Sequence, residues 1–156
     1  MTPAIDFLKR ENIPYSIHEY QHDSSAVSFS QEAIDKLGVP ARMVYKTLVA
    51  ETENGELVVA VLPVLSKLNT KLLAKALGTK KSSMADAQKV ERVTGYVTGG
   101  VSPLAQKKSL RTVIDRTAKE LDQLYVSAGR RGLEIELKPL DLAILCDAEF
   151  KQLCQT

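Results

Sequence analysis

The sequence predicts a mixed α/β fold with a barrel-like, mostly antiparallel mixed sheet surrounded by helices. Two apolar, β-branched runs, residues 43–51 and 56–63, are joined by a segment ending in Asn54-Gly55, which is typical of a β-hairpin. Short strand-like and helix-like segments alternate in the second half. The long apolar runs and regular βαβ rhythm of a parallel sheet are missing.

The first forty residues predict two helices and a strand. Thr2-Pro3 has the residue types of an N-cap and a first helical position, and predicts a helix to about residue 11. Alternation over residues 15–20 predicts a strand. Ser28 or Ser30 can cap a second helix, which Gly38 ends.

The elements after the hairpin are shorter. Asn69 and Asp86 predict the N-caps of two helices, the second ending near Thr94. A last helix is expected to begin near Pro139 and to continue, with a break, to the C-terminus. Further short strands are predicted near Tyr96 and over residues 112–114, 124–127 and 133–137.

Composition predicts one soluble globular domain, residues 1–156. With 44% hydrophobic and 26% charged residues, the chain can bury a core without disulfides or metal. No apolar run approaches the ~20 residues that span a bilayer, and the N-terminus lacks the pattern of a secretory signal. We therefore expect a cytoplasmic protein with no membrane contact, no metal and no cofactor.

The charge balance argues against strong unaided binding to nucleic acid. Formal net charge is +2, from 21 basic and 19 acidic residues. Basic residues nevertheless cluster at Lys80-Lys81, at Lys107-Lys108 with Arg111, and at Arg130-Arg131. They form either a solvated rim or a modest, salt-sensitive RNA contact surface, and composition leaves both interpretations open.

Several catalytic motifs are missing from the chain. It has no Gly-x-Ser-x-Gly elbow, no Walker-type loop and no dinucleotide-binding glycine spacing. His18 and His22 are its only histidines, and no third metal ligand accompanies them. Cys146 and Cys154 fall late in the predicted last helix, a poor position for an activated nucleophile.

Residues 95–103 concentrate glycine. Gly95, Gly99 and Gly100 lie there, and Pro103 closes the segment. Paired glycines permit positive φ and let backbone N–H groups approach a ligand closely. The alternative is a tight turn or bulge between strands, and the residues alone leave both possibilities open.

Lys46 is unusual because it interrupts an apolar predicted strand. Alternation places it with Val44 and Leu48 on the predicted inner face. Its side chain either reaches the surface or holds its ammonium in a cleft. In a cleft it needs an anion, such as a ligand carboxylate or phosphate.

Seven short segments spread over the chain carry a family resemblance. They are Thr2-Pro3-Ala4-Ile5, Tyr45-Lys46-Thr47-Leu48, Met84-Ala85-Asp86, Thr94-Gly95-Tyr96, Gly99-Gly100-Val101-Ser102-Pro103-Leu104, Gln106-Lys107-Lys108 and Tyr125-Val126-Ser127-Ala128-Gly129. In this order and spacing, they make the whole chain resemble the stand-alone bacterial Cys-tRNA(Pro) deacylases, relatives of the editing insertion domain of bacterial prolyl-tRNA synthetases. It departs from the family at Ala105 and Ala128, where glycine is frequent.

The resemblance implies the editing-domain fold and hydrolysis of the ester that links cysteine to tRNA(Pro), with Cys-tRNA(Cys) as a further substrate. The implied partners are tRNA(Pro) charged with Cys and prolyl-tRNA synthetase. Lys46 and Gly100 match catalytic positions. The matching substrate-binding positions are Tyr20, Phe29, Thr47, Gly99, Val101, Ser102, Pro103, Ser127 and Gly129.

The resemblance also implies a substrate-assisted mechanism, in which the cysteinyl thiol attacks its own ester carbonyl and forms a cyclic thiolactone. Enforced orientation of such a reaction contributes up to ~7–11 kcal/mol. Backbone N–H groups of residues 100–102 are expected to support the oxyanion, and Lys46 to anchor the tRNA 3′ end. The alternatives are a deacylase for another small amino acid such as alanine, or a non-catalytic aminoacyl- or nucleotide-binding module on the same fold.

Overall fold

The computed structural model describes residues 1–25 and 28–155, and Phe29 in its backbone alone. The helices in these ranges are α1 (Pro3–Glu11), α2 (Phe29–Leu37), α3 (Thr70–Leu77), α4 (Ala87–Thr94) and α5 (Pro139–Cys146), with 3-10 turns at Ala41–Met43 and Arg116–Glu120. The strands are β1 (Ser16–Glu19), β2 (Tyr45–Thr52), β3 (Leu57–Pro63), β4 (Ser82–Met84), β5 (Arg111–Asp115), β6 (Leu124–Arg130), β7 (Leu133–Leu137) and β8 (Glu149–Lys151).

The strands form two sheets. One has the order β1-β7-β6 and is antiparallel throughout. The other has the order β4-β2-β3-β5-β8, antiparallel over β4, β2 and β3 and parallel over β3, β5 and β8. The mixed, mostly antiparallel α/β fold is therefore confirmed. The expected barrel is not closed, because among the described residues only the bridge between Val44 and Tyr125 joins the sheets.

Local capping signals explain why the predicted helix starts are confirmed. In α1 to α4 the N-cap side chain accepts a hydrogen bond from the backbone N–H three residues later, which satisfies a group that the helix leaves free. Of the two candidate caps for α2, the structure uses Ser28. The four caps are Thr2, Ser28, Asn69 and Asp86, with N···O distances of 3.3, 3.3, 3.0 and 3.2 Å.

Two predicted elements are wrong. Tyr96 lies in a loop and not in a strand, and its buried hydroxyl donates to the carbonyl oxygen of Leu104 at 2.7 Å. The last helix does not continue to the C-terminus, because α5 ends at Cys146 and Asp147 takes a left-handed φ of 50°. The chain then forms β8, which pairs in parallel with β5.

Both faces of the β2–β3 hairpin are covered, which explains its nearly continuous apolar sequence. Tyr45, Val49, Val59 and Val61 belong to the main core, with residues of α1, β6 and β7. The opposite face packs in a second cluster with α3. Burial of both faces leaves the outer edge of β2 as its accessible side.

None of the helices in the described ranges is long and apolar enough to cross a membrane.

Candidate functional site

A cavity of about 300 Å³ opens at the outer edge of β2. The strand β4 pairs with β2 only at residues 50–52, and one further hydrogen bond joins Ala85 N–H to the Val49 carbonyl at 3.1 Å. Beyond that point the edge faces α2, the end of β1, strands β6 and β7, and the loop around residue 99. The polar and glycine residues of its wall include Tyr20, Glu32, Lys46, Thr47, Gly99, Ser127, Arg131 and Glu134.

Lys46 lines this pocket with a partly buried side chain. Burial lowers the pKa of its ammonium, because desolvation disfavours the charged form. Within the described part of the chain, the Lys46 ammonium forms no ion pair and no hydrogen bond. It shares the predicted face with Val44 and Leu48, which also line the pocket. The pocket thus holds a cation that still needs an anion.

Thr47 contributes a second unpartnered group. Its side chain leaves β2 on the opposite face from Lys46, and the pocket reaches both faces around the strand edge. The hydroxyl oxygen of Thr47 is buried without a hydrogen-bond partner among the described residues. Because Val44 and Thr52 bond to Val64 and Glu56 at the two ends of β3, alternation turns the backbone N–H and C=O of Thr47 away from β3. Thr47 therefore presents both hydroxyl and backbone groups at the edge.

The glycine segment is both a turn and a pocket wall. Gly99, with φ of 86°, and Val101 line the cavity, whereas Gly100 is buried behind it. The Gly100 N–H donates to the Val97 carbonyl at 2.9 Å, so that amide is already used within the loop. A Cβ at Gly100 would lie 3.0 Å from the Cα of Arg130. Glycine is required there because the loop packs directly on the β6–β7 turn.

Ser102 and Pro103 lie behind the pocket rather than in its wall. The fully buried hydroxyl of Ser102 accepts a hydrogen bond from Leu104 N–H at 3.2 Å. The Pro103 carbonyl accepts one from the Cys146 thiol at 3.4 Å. These two residues therefore fix the shape of the glycine loop.

Gly129 positions Ser127, which lines the pocket. The β6–β7 register shifts between Ser127 and Arg130, and Gly129 adopts a φ of 112°. Its N–H donates to the Ser127 hydroxyl at 3.2 Å. A Cβ at Gly129 would lie 2.7 Å from the Tyr96 ring, so the bulge also makes room for that side chain.

Two acidic residues line the pocket in contrasting surroundings. Glu32 accepts hydrogen bonds from Asp23 N–H at 2.7 Å and Lys36 Nζ at 3.1 Å, and pairs with His22 Nδ1 at 2.7 Å. The Asp23 bond, followed by the His22 bond, lowers the pKa of Glu32 to about 2. Glu134 is 7% exposed, and its carboxyl group bonds to no described residue. Burial raises its pKa to about 8.

No sequence pattern indicated that Glu134, Glu32 and Arg131 line the pocket. Glu134 alternates with apolar residues in β7, which is typical of a solvent-facing position, and no local signal marks it as covered. Arg131 was recognised as basic but not as a residue that donates to the Thr98 carbonyl at 2.8 Å.

Tyr20 lies in the wall as the resemblance implies, and burial, followed by the nearby Glu134 charge, raises its pKa to about 12. The side chain of the remaining predicted wall residue, Phe29, lies outside the described residues.

The described wall holds no nucleophile–base pair. His18, Glu134 and Ser127 are directly opposite one another across β1, β7 and β6, but they do not form a triad. The Nε2 atom of His18 lies 2.8 Å from Glu136 instead.

Both cysteines lie outside the pocket wall. Burial raises the pKa of Cys146 to about 12 and that of Cys154 to about 11, so neither thiol is activated. Cys154 follows β8 and does not lie in a helix, so its predicted helical position is wrong. In the described ranges no three His, Cys, Asp or Glu residues group as metal ligands would.

Fold and pocket together define a small α/β protein with a polar pocket at an exposed strand edge. Residues 24–145 match the family of the aminoacyl-tRNA editing domain, and the chain belongs to that family.

Its relatives include EbsC of Enterococcus faecalis, whose name describes a candidate Cys-tRNA(Pro)/Cys-tRNA(Cys) deacylase. EbsC is 34% identical over 97% of this chain and 92% of its own length. A proline–tRNA ligase of Brachyspira hyodysenteriae is 22% identical over 74% of this chain, which spans only 23% of that enzyme. A crystal structure described as a candidate trans-editing enzyme for prolyl-tRNA synthetase shares the fold, with a TM-score of 0.81 and 18% identity over 99% of this chain and 98% of its own.

Proposed function

We propose that this protein is an aminoacyl-tRNA deacylase, one editing domain over residues 1–156, that hydrolyses mischarged Cys-tRNA(Pro) and also accepts Cys-tRNA(Cys). The observation that carries the proposal is the pocket at the β2 edge. Its described wall combines the unpaired Lys46 ammonium, the unpartnered Thr47 hydroxyl and the Gly99 turn, without histidine or cysteine. Such a wall can hold a reacting ester but offers no activated nucleophile of its own. The name of EbsC supports the choice of substrate.

The substrate supplies the nucleophile in this proposal. The cysteinyl sulfur attacks its own ester carbonyl, forming a C–S bond, and the bond from that carbon to the ribose oxygen breaks. The thiol proton passes to the ribose oxygen, releasing free tRNA and a thiolactone, which water opens to cysteine. The protein contributes orientation, which is the main requirement of an intramolecular reaction.

Each wall group has a role in this scheme. Lys46 anchors the 3′ end of the tRNA through its phosphate or ribose oxygens, since no described carboxylate pairs with it. Because Gly100 donates its N–H within the loop, the neighbouring amides of Gly99 and Val101 are the candidates that support the oxyanion. The Ser127 hydroxyl, fixed by Gly129, contacts the aminoacyl group.

Requiring the substrate's thiol also explains selectivity. One methylene in a pocket discriminates by only about 1–3 kcal/mol, so size separates cysteine, proline and alanine poorly. The test compares hydrolysis of tRNA(Pro) charged with cysteine, serine or alanine. We expect rapid loss of cysteine alone. Equal rates for all three would exclude the thiol mechanism, and preferred hydrolysis of the alanine ester would identify an alanine deacylase.

The Lys46→Ala variant tests the anchor. We expect kcat/KM for Cys-tRNA(Pro) to fall about tenfold to hundredfold, mainly through KM, as for a lost charged contact. The control is Lys71→Ala, an exposed lysine on α3, which should act like wild type. Full activity of Lys46→Ala would refute this role. An inactive wild type that still binds aminoacyl-adenosine would instead indicate a non-catalytic binding module.

The partners follow from the substrate. Prolyl-tRNA synthetase is proposed as the partner that presents tRNA(Pro), because a net charge of +2 provides little general affinity for RNA. Co-elution of the two proteins with tRNA(Pro) should depend on salt, and their failure to associate at low salt would contradict this assignment.

A further inference from the structure

Glu134 is the buried group of the pocket that the scheme above does not use. It lies in the wall on β7, opposite His18 of β1 and Ser127 of β6, and is 7% exposed. Buried carboxyl groups are normally paired or hydrogen-bonded, because an unpaired one loses its water without compensation. No described residue bonds to it.

The charged groups around the pocket do not satisfy this carboxyl. The Lys46 ammonium has no ion pair among the described residues, and the Arg131 guanidinium donates to the Thr98 carbonyl. The other acid of the wall, Glu32, has its own partners in Asp23, His22 and Lys36. The missing partner of Glu134 is therefore a cation that arrives with the ligand. An aminoacyl ester carries one such cation, its α-ammonium group.

We propose that Glu134 binds the α-ammonium group of the aminoacyl moiety, so that the pocket selects esters with a free α-amine. This inference rests on the proposed function and assigns a specificity residue to that site. A charge-assisted bond between ammonium and carboxylate is strong when it is desolvated, as it is at this position.

Binding through Glu134 has a consequence for protons. In the free protein, burial keeps the pKa of Glu134 near 8, so that the carboxyl is mainly protonated at neutral pH. An ammonium partner stabilises the carboxylate, and the group therefore releases its proton when the ligand binds.

The decisive comparison uses two substrates that differ in the amine alone. Cys-tRNA(Pro) and 3-mercaptopropionyl-tRNA(Pro) carry the same ester and the same thiol, but the second lacks the α-amino group. The variant is Glu134→Gln, which keeps the shape and removes the charge. The matched control is Glu136→Gln, on the same strand and face but outside the pocket wall.

We expect wild type and Glu136→Gln to cleave Cys-tRNA(Pro) about tenfold to hundredfold more efficiently than the amine-free substrate. Glu134→Gln should lower this ratio about tenfold, largely by lowering kcat/KM for Cys-tRNA(Pro). A structural role alone would slow both substrates equally and leave the ratio unchanged, which would overturn the inference. A wild-type ratio of one would also overturn it, while leaving the proposed function intact. Failure of wild type to cleave either substrate would overturn the proposed function and this inference together.

A binding measurement on the wild-type protein tests the same inference without a variant, so it does not depend on whether Glu134→Gln folds. The probe is 3′-deoxy-3′-(cysteinylamino)adenosine, whose amide replaces the cleavable ester, titrated calorimetrically at pH 7 in buffers of different ionisation enthalpy. We expect release of up to about one proton on binding, and none for the 3-mercaptopropionyl analogue. Equal proton release for both probes would contradict the assignment.

Discussion

The pocket wall contains two acidic residues, Glu32 and Glu134, whose surroundings shift the pKa of the carboxyl group in opposite directions. Glu32 lies on α2 and is surrounded by donors, which lower its pKa to about 2. Glu134 lies on β7, its carboxyl has no bonded partner among the described residues, and burial raises its pKa to about 8. The first carboxylate stabilises the fold at neutral pH, whereas the second destabilises it. An unpaired buried acid lowers the stability of a protein. Such groups are therefore found at binding sites more often than in structural cores.

The largest expected effect is on the pH dependence of stability in Glu134→Gln. Between pH 4.5 and about 8, Glu134 ionises in the unfolded chain but stays protonated in the folded one, so wild-type stability falls as pH rises. The slope is roughly 1.4 kcal/mol per pH unit. Glu134→Gln should lose this slope and exceed wild type at pH 8 by up to about 5 kcal/mol. Urea unfolding of both proteins at pH 5 and pH 8 measures this difference in stability. If the stabilities of wild type and Glu134→Gln changed in parallel with pH, the Glu134 carboxyl would be solvated.

Replacing Glu32 should lower the free energy of unfolding at neutral pH, whereas replacing Glu134 should raise it. Glu32 has a lowered pKa, so its contribution is present above pH 4.5 and is lost as pH falls towards 2. We expect Glu32→Gln to unfold at lower urea than wild type at pH 7, with the difference shrinking at pH 3. Glu11→Gln, an exposed acid at the end of α1, is the control and should show no change. A constant difference between Glu32→Gln and wild type at both pH values would contradict the comparison.

A pair of threonines extends the comparison to hydroxyl groups. Thr94 Oγ1 donates to the Val90 carbonyl at 2.7 Å and accepts from Tyr96 N–H at 3.1 Å, whereas Thr47 Oγ1 has no described partner. Thr94→Val should lose about 1–3 kcal/mol of unfolding free energy, and Thr47→Val should gain about 1 kcal/mol. We also expect Thr47→Val to lower deacylation. Equal destabilisation by the two changes would mean that Thr47 has a structural partner.

The smallest expected effect concerns Ala105, which lies in the loop between α4 and β5. Ala105 adopts a φ of 54°, a left-handed conformation that disfavours any side chain, and it stands where the resembled family often has glycine. Ala105→Gly should raise unfolding free energy by about 0.5–1 kcal/mol. The control Ala76→Gly, inside α3, should lower it by about the same amount. Thermal unfolding compares them, and a destabilised Ala105→Gly would disprove strain at this position.

Local chemistry explains which parts of the fold could be predicted. Caps such as Asn69 and turn residues such as Gly55 act within a few residues of the chain, so their effect can be read from the sequence. Lys46 was recognised for the same reason, since a lysine within an apolar strand is unusual. The short parallel strand β8 has no such signal, because its pairing with β5 depends on residues more than thirty positions away.

The remaining errors, at Tyr96 and Glu134, concern residues whose environment depends on tertiary packing. Tyr96 has strand-forming neighbours, but its hydroxyl is held by the Leu104 carbonyl and the segment becomes a loop. Glu134 follows the alternation of an exposed face, and only the assembled sheets, with Tyr20 beside it, make it buried. Predicting either requires knowledge of the packed structure, which periodicity does not contain.

The open edge of β2 is short. Between the bridge at Val44 and the hydrogen bond that ends at Val49, Thr47 offers the outward backbone pair. Strands advance ~3.3 Å per residue, so this ledge accommodates one residue of an extended chain. A second residue of such a chain would find no free acceptor at Val49, because that carbonyl already accepts a hydrogen bond from Ala85 N–H.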